Sequence, residues 1–440
     1  MYIINTWLCR VDKDSVKPLF GDLHIRNGTI QKFTVREYPQ MIEQKQDSVT
    51  IDACGRVITL PLVNFHDHIY SRLARGVPVS GGLKNFTRIL EGLWWILDRA
   101  LDSDMIKACA ELAARESIRQ GVTYIFDHHA SPSVTDGSLT LIKHILDKNH
   151  IRGVLCCEIS DRNGPDAMQK ALHENEHFIR SAAQENLKGM IGLHAPFTLS
   201  EQTLLSTAKL LHNLDTSIHI HIAEDKIDVT SSHKKFDTGP AQRLYGHGLL
   251  TKKAILAHGI HLEKSDLFCI RDAGSAIVFN PDSNLNNSVG LPKYAKIPTE
   301  IPLLAGTDGM HANISRSLKQ LFLLYRMQGN SFGQAFSWIH KIYFDQLRFV
   351  QRWFDDFSCL CEGDRADLVM WDYLPPTPFH AENFWGHFLY GILESPVHSV
   401  VQGGRILMRN FCLENDIDQL LSEFIFRKGQ QLYNQMKDAL

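Results

Sequence analysis

Eight short apolar runs, each closing on polar or ionisable residues, recur between about residues 57 and 310. They read VITLPLVNFHDH, VTYIFDHH, IRGVLCCEIS, GMIGLHAPF, TSIHIHIAED, AILAHGIHL, SAIVFNPDSN and IPLLAGTDGM. Runs this short, rich in Val, Ile and Leu and apolar on both faces, predict strands covered on both sides. Helical spacing of apolar residues marks the segments between them. DMIKACAELAARESIRQ runs from Ser103 as N-cap to Gly121 as C-cap. DGSLTLIKHILDKNH and SEQTLLSTAKLLHNL are two more. Strands alternating with helices predict a parallel sheet, and eight such units in about 250 residues match a (β/α)8 barrel.

The flanks have a different pattern. HIRNGTIQKFTV near the start, with turn signals at Asn27-Gly28 and Gly55, and ADLVMWDY and VHSVVQGGRILMRN near the end predict antiparallel strands. Neither flank is large enough to build a sheet core alone. The expected organisation is therefore residues 1–56 and 366–412 as two parts of one small flanking β-sandwich, 57–365 as the barrel, and 413–440 as a helical tail. A further stretch, NFTRILEGLWWILDRAL, places Phe86, Ile89, Leu90, Leu93, Ile96 and Leu97 at helical spacing. It predicts a helical insertion over one rim of the barrel, with Trp94 and Trp95 as candidates to stack on a flat ligand.

Composition narrows the function classes. A net charge of −3 lacks the basic excess of a nucleic-acid or membrane surface. No apolar run approaches the roughly 18 residues of a membrane span, and MYIINTWLCRVDKDS lacks a signal-peptide pattern. Nine irregularly spaced cysteines fit a reduced cytoplasm better than a disulfide framework. The expected partner is a small-molecule substrate, with a homodimer as the default assembly.

Histidine is the enriched residue, 22 in 440. At that frequency the His-x-His spacing of His66/His68 and His219/His221 is unremarkable. What carries information is that polar residues end all eight runs: His66/His68, Asp127/His128/His129, Glu158, His194, His221/Glu224, His258/His261, Asn280/Asp282 and Asp308. Strand C-termini in such barrels form the rim that carries active sites. His66, His68, His221 and Asp308 together suit one divalent cation, Zn²⁺ first, with Fe²⁺ or Mn²⁺ as alternatives. Such a cation brings the pKa of a bound water to about 7. Glu224, just past its strand, is placed to carry protons. His258 is placed to hydrogen-bond the attacking water or polarise the substrate, and Asp308 to take a proton as well as to ligate. His219, one pleat before His221, is expected deeper in the barrel. Asp67, between the first two histidines, is expected to face away.

NFHDH, HIHIAED, AHGIH, LAGTDG and GDRADLVMWD, in that order, resemble the amidohydrolase superfamily, and more narrowly its deaminase and chlorohydrolase branch. HIYSRLARG, LWWILDRALD, DHHASPSVTDGSL, LHAPFTLS and DSNLNN are most similar to SsnA-type aminohydrolases. The resemblance spans nearly the whole chain. It implies a distorted (β/α)8 TIM barrel with a flanking β-sandwich, a metal set of His66, His68, His221 and Asp308, Glu224 as proton shuttle, His258 at the water and His194 facing substrate. Pro61-Leu62 stands where Pro-Gly is usual, and Gly259 where Cys or Ser commonly follows the sixth-strand His. Two-metal members carry a lysine at the end of the fourth strand, where this chain has His194, which implies one metal. The implied reaction is hydrolytic deamination of an amino-substituted heterocycle. The alternatives are hydrolysis of a C–Cl bond or an amide, and, from another class, a non-catalytic metal-binding scaffold. The C-x-x-C of nucleic-acid deaminases is absent, and the H-E-x-x-H spacing of metalloproteases occurs at His173–His177, outside the eight strand ends.

Overall fold

In the computed structural model of this protein, which describes residues 1–37, 49–79, 82–182 and 186–439, all eight runs supply a strand of one parallel sheet. The barrel strands are β1 (Leu62–Asp67), β2 (Val122–His129), β3 (Arg152–Ile159), β4 (Ile191–Leu193), β5 (Ile218–Ile222), β6 (Ile255–His258), β7 (Ala276–Phe279) and β8 (Leu303–Ala305), neighbours in that order. Nearly every residue in them is buried, as strands with helices outside and a filled interior require. The barrel closes where the backbone N–H groups of Thr307 and Asp308 donate to His66 O at 3.0 and 2.9 Å. A parallel bridge between Asp67 and Asp308 completes the seam.

The helices between the strands follow the apolar spacing closely. Ser103–Arg119 is capped by Asp102, whose carboxylate accepts from Met105 N at 2.7 Å. The cap lies one residue before the expected Ser103, because the shorter serine stands inside the first turn. Gly121 ends that segment with φ +69, a left-handed conformation that favours glycine. Ser138–Lys148 and Glu201–His212 form as expected, the second capped by Ser200.

Both ends of the chain join one continuous nine-stranded mixed sheet beside the barrel. Tyr2–Asp12 runs antiparallel to Ser15–Arg26 and parallel to Val57–Thr59. Val57–Thr59 pairs in turn with Leu368–Trp371, and that strand with Val397–Gln402. The first apolar run of the sequence is thus two strands, not one. Leu60 and Pro61 separate Val57–Thr59 in the flanking sheet from β1 in the barrel, and Pro61 has no N–H to extend a ladder. Residues 38–48 of the first flank lie outside the described residues. The tail helix Gln419–Asp438 buries Leu432 and Met436, and its Lys428 sits 2.8 Å from Asp104 at the start of Ser103–Arg119. Among the described residues no helix is long and apolar enough to cross a membrane.

The insertion after β1 is helical from Phe86 to Ala100, with one wider π turn at Leu90–Trp94. It lies over the rim at the C-terminal ends of the strands, where Phe86, Leu90, Trp94, Trp95 and Asp98 line a cavity.

Candidate active site

Alternation along β1 sends His66 and His68 to one face and Asp67 to the other. Asp67 is fully buried behind the site, where Arg72 Nη2 donates to both its oxygens at 2.7 and 2.8 Å and Asn64 donates to one of them. His66 and His68 point inward to meet His221 from β5, His258 from β6 and Asp308 just past β8. His68 Nε2 is 3.1 Å from His221 Nε2 and 3.1 Å from Asp308 Oδ1, and His66 Nε2 is 3.8 Å from the same oxygen. Donor atoms of His66, His68 and His221, and of His66, His258 and Asp308, lie within 4.8 Å of one another.

The other nitrogen of each ring is already engaged. His68 Nδ1 donates to His128 O at 2.6 Å, and His221 Nδ1 to His194 O at 2.8 Å. His66 Nδ1 shares a hydrogen with His219 Nε2 at 2.8 Å, and His258 Nδ1 donates to Asn284 Oδ1 at 2.8 Å. Acceptors at Nδ1 leave a lone pair on Nε2 of a neutral ring. Two such lone pairs 3.1 Å apart repel unless a proton or a cation stands between them. Two donors on a tetrahedral cation at about 2.0–2.1 Å are themselves spaced about 3.3 Å apart. His66 Nε2 is buried with no hydrogen-bond partner, an expensive state unless something else takes it up. Imidazole and carboxylate donors with these spacings fit a borderline divalent cation.

The electrostatics mark a place that draws in positive charge, held as a proton on His68. Burial opposes a charge on His68, but the hydrogen bond and charge of Asp308 outweigh it and push the imidazole up to about 9. Burial would raise Asp308, yet His68 holds it well below the usual carboxylate range. His66 and His221 are driven well below the ordinary imidazole value by burial and by the surrounding rings. They are neutral near pH 7, as metal ligation requires.

Glu224 follows β5 after a turn in which Ala223 takes φ +47 and gives its N–H to Asp228. One Glu224 oxygen is 3.5 Å from His258 Nε2, and Asn287 Nδ2 donates to the other at 3.4 Å. Burial pushes this carboxyl up to about 7, in the range where a group both gives and takes protons near neutrality. His258 and Asp308 carry positive φ, +75 and +56, conformations that non-glycine residues adopt at a cost and that cluster at functional sites.

A cavity opens above these groups. Phe86, Leu90, Trp94, Trp95 and Phe197 form its apolar wall. His194 lines it, with Nδ1 2.8 Å from Thr198 Oγ1 and its ring 6.3 Å from that of Trp95. All seven residues singled out from the sequence, His66, His68, His194, His221, Glu224, His258 and Asp308, therefore meet at or beneath this cavity. His219 lies deeper, as expected, and there it supports His66.

Two members of the site escaped the sequence reading: Asp98 of the insertion, and Arg162, which bonds it and also Glu158 Oε1 at 2.7 Å. The i, i+4 spacing of Glu158 and Arg162 was the available signal. Asn284 and Asn287, within the DSNLNN motif, also have roles only the fold discloses. His128 tucks beneath the cavity with its ring 4.7 Å from that of His221, whereas His129 faces away to Ser131 Oγ at 2.7 Å. Asp127 accepts from Ile69 N at 2.8 Å and so pins the turn after His68.

Residues 57–407 match the model of the family described as amidohydrolase. The chain belongs to the amidohydrolase family. Among its relatives in that family, the 5-methylthioadenosine/S-adenosylhomocysteine deaminase of Desulforudis audaxviator is 26% identical over 370 residues, 82% of this chain and 83% of that one. An adenosine deaminase from Xanthomonas campestris, solved with bound zinc, superposes with a TM-score of 0.79 at 18% identity, covering 99% of this chain and 98% of the other. The atrazine chlorohydrolase TrzN from Arthrobacter aurescens, complexed with zinc, reaches 0.78 at 18% identity, covering 98% and 99%. Enzymes built on (β/α)8 barrels place their chemistry at the strand C-termini, the rim where the imidazoles converge here.

Proposed function

We propose that this chain is a metal-dependent hydrolytic deaminase of a small amino-substituted heterocycle, holding one divalent cation, Zn²⁺ by preference, on His66, His68, His221 and Asp308. The observation that carries this reading is the convergence of unengaged imidazole nitrogens with Asp308 and a near-neutral Glu224 under an aromatic cavity. Relatives named as deaminases across most of the chain support it. When bound, such a cation supplies a water ionised near neutrality.

The protein's own groups do the rest. The apolar wall and the insertion above it hold a flat ring and exclude bulk water. Glu224 takes a proton from the attacking water and gives it to the ring nitrogen beside the amine-bearing carbon. A second proton through the same carboxyl leaves with the amine as ammonia, and a carbonyl replaces the C–NH₂ group. His258, fixed by Asn284, holds the water's remaining hydrogen on Nε2, and Asn287 keeps Glu224 aimed. His194 faces the ring from β4. Changing only the leaving group gives the second reading, hydrolysis of a C–Cl bond or an amide, for which the same acid–base pair serves and of which one fold neighbour is an example.

An ammonia-release screen of the metal-loaded protein over amino-substituted purines, pyrimidines, pterins and triazines tests this. Ammonia matched by one carbonyl product per turnover is the expected result. Chloride or carboxylate release without ammonia favours the second reading, and no turnover of any kind removes both.

A further inference from the structure

The charge of the cavity says which substituents its substrate carries, an inference that rests on the deaminase reading for the reaction but not for binding. Among the described residues lining the cavity are six carboxyl groups, Asp98, Glu158, Glu224, Asp225, Asp228 and Asp308, against a single guanidinium, Arg162. A pocket arginine is the ordinary anchor for phosphate or carboxylate, because its planar fork matches two oxygens. Arg162 is not free for that task. It bonds Glu158 Oε1 at 2.7 Å and also Asp98, and its guanidinium lies 5.3 Å over the Trp95 ring. Both acids are buried. Of the unpartnered atoms left beside it, Asp98 Oδ1 accepts from an amino or hydroxyl group, whereas Arg162 Nε and Trp95 Nε1 are N–H donors for a neutral acceptor, the guanidinium charge being already paired with Asp98 and Glu158. Asp225 and Asp228 spend oxygens on the backbone N–H groups of Ile227, Ala223 and Phe197, so neither anchors an anion. Burial raises Asp98, Glu158, Glu224 and Asp228 above the usual carboxylate range, so several of the six are partly protonated, but with a divalent cation in place the lining still offers an anion no cation beyond that ion and the already paired Arg162.

We infer that the cavity selects neutral or cationic amino-heterocycles and excludes those bearing a phosphate or carboxylate. Charge mismatch in a confined, poorly solvated pocket is a standard means of rejecting an otherwise isosteric ligand. Calorimetric binding of adenosine, its 5′-monophosphate and its 5′-amino-5′-deoxy analogue to the metal-loaded protein tests this without needing turnover. The neutral and amino compounds are expected to bind at least roughly 10²-fold more tightly than the monophosphate. Equal or tighter binding of the monophosphate overturns the inference, as does failure of all three to bind. Binding in the expected order with no ammonia from any amino-heterocycle sinks the deaminase reading and leaves this one intact. The double variant Asp98→Asn, Glu158→Gln releases Arg162 and should narrow the preference for adenosine over the monophosphate by about 10-fold or more. An unchanged ratio in a folded variant removes these two acids as its source, and if the variant does not fold, the wild-type order alone decides.

Discussion

The first and second barrel strands both end in two buried histidines, and the two pairs do different things. His66 and His68 are two residues apart, so the pleat sends both rings inward, where their Nε2 atoms meet Asp308 and His221. His128 and His129 are adjacent, so the pleat divides them. One packs under the cavity against His221, and the other leaves for Ser131. Burial is the same and residue type is the same. What separates a set of converging donors from a split pair is a spacing of two rather than one.

The largest effect that can break this comparison is on the first pair. His68→Ala should reduce bound metal from close to one ion per chain to near none, and turnover with it. That is well beyond the 10- to 100-fold that losing an outer partner of a ligand costs. Elemental analysis of the purified protein checks both numbers, and two tightly held ions in the parent protein would break the single-ion assignment. Next in size, Glu224→Gln should keep the metal and lose about 10²–10⁴-fold in turnover. Near-normal rates in that variant would remove Glu224 from proton transfer.

The smallest effect concerns the outward member of the second pair. Burial lowers His129 from 6.5 to about 3, so the unfolded chain binds the proton first. Stability from this group is fully present above pH 6.5 and is lost as pH falls through the window down to about 3. His129→Gln should keep full metal content and show a shallower fall in melting temperature between pH 6.5 and 4 than the parent. A parallel fall in the two proteins would show that His129 is not what acid attacks there.

Much of this was legible in the chain because barrel chemistry sits next to barrel strands. An apolar run announces a strand, and the polar residues that end it are the rim, so His66, His68, His221, Glu224, His258 and Asp308 could be named before any geometry. The fold followed from the same eight runs. What could not be read shares one property: it joins residues far apart in the chain. Asp98 reaches Arg162 across 64 positions, and His66 reaches His219 across 153. No local pattern encodes such meetings. The first run misled for a different reason, since Val57–Thr59 and Leu62–Asp67 are equally apolar and only the break at Leu60-Pro61 assigns them to different sheets.

The seam of the barrel has a temporal side. Its first and last strands are joined through His66 O, Asp67 and the backbone of Asp308, beside three of the proposed metal donors. Those donors come from opposite ends of the barrel's stretch of chain and become neighbours only when the final strand arrives. A chain still being synthesised up to residue 300 has every histidine of the set and lacks its carboxylate. On the proposed single-ion assignment, ion capture would report that the ring of strands is complete, and the ion would clasp the joint between the first and last strands.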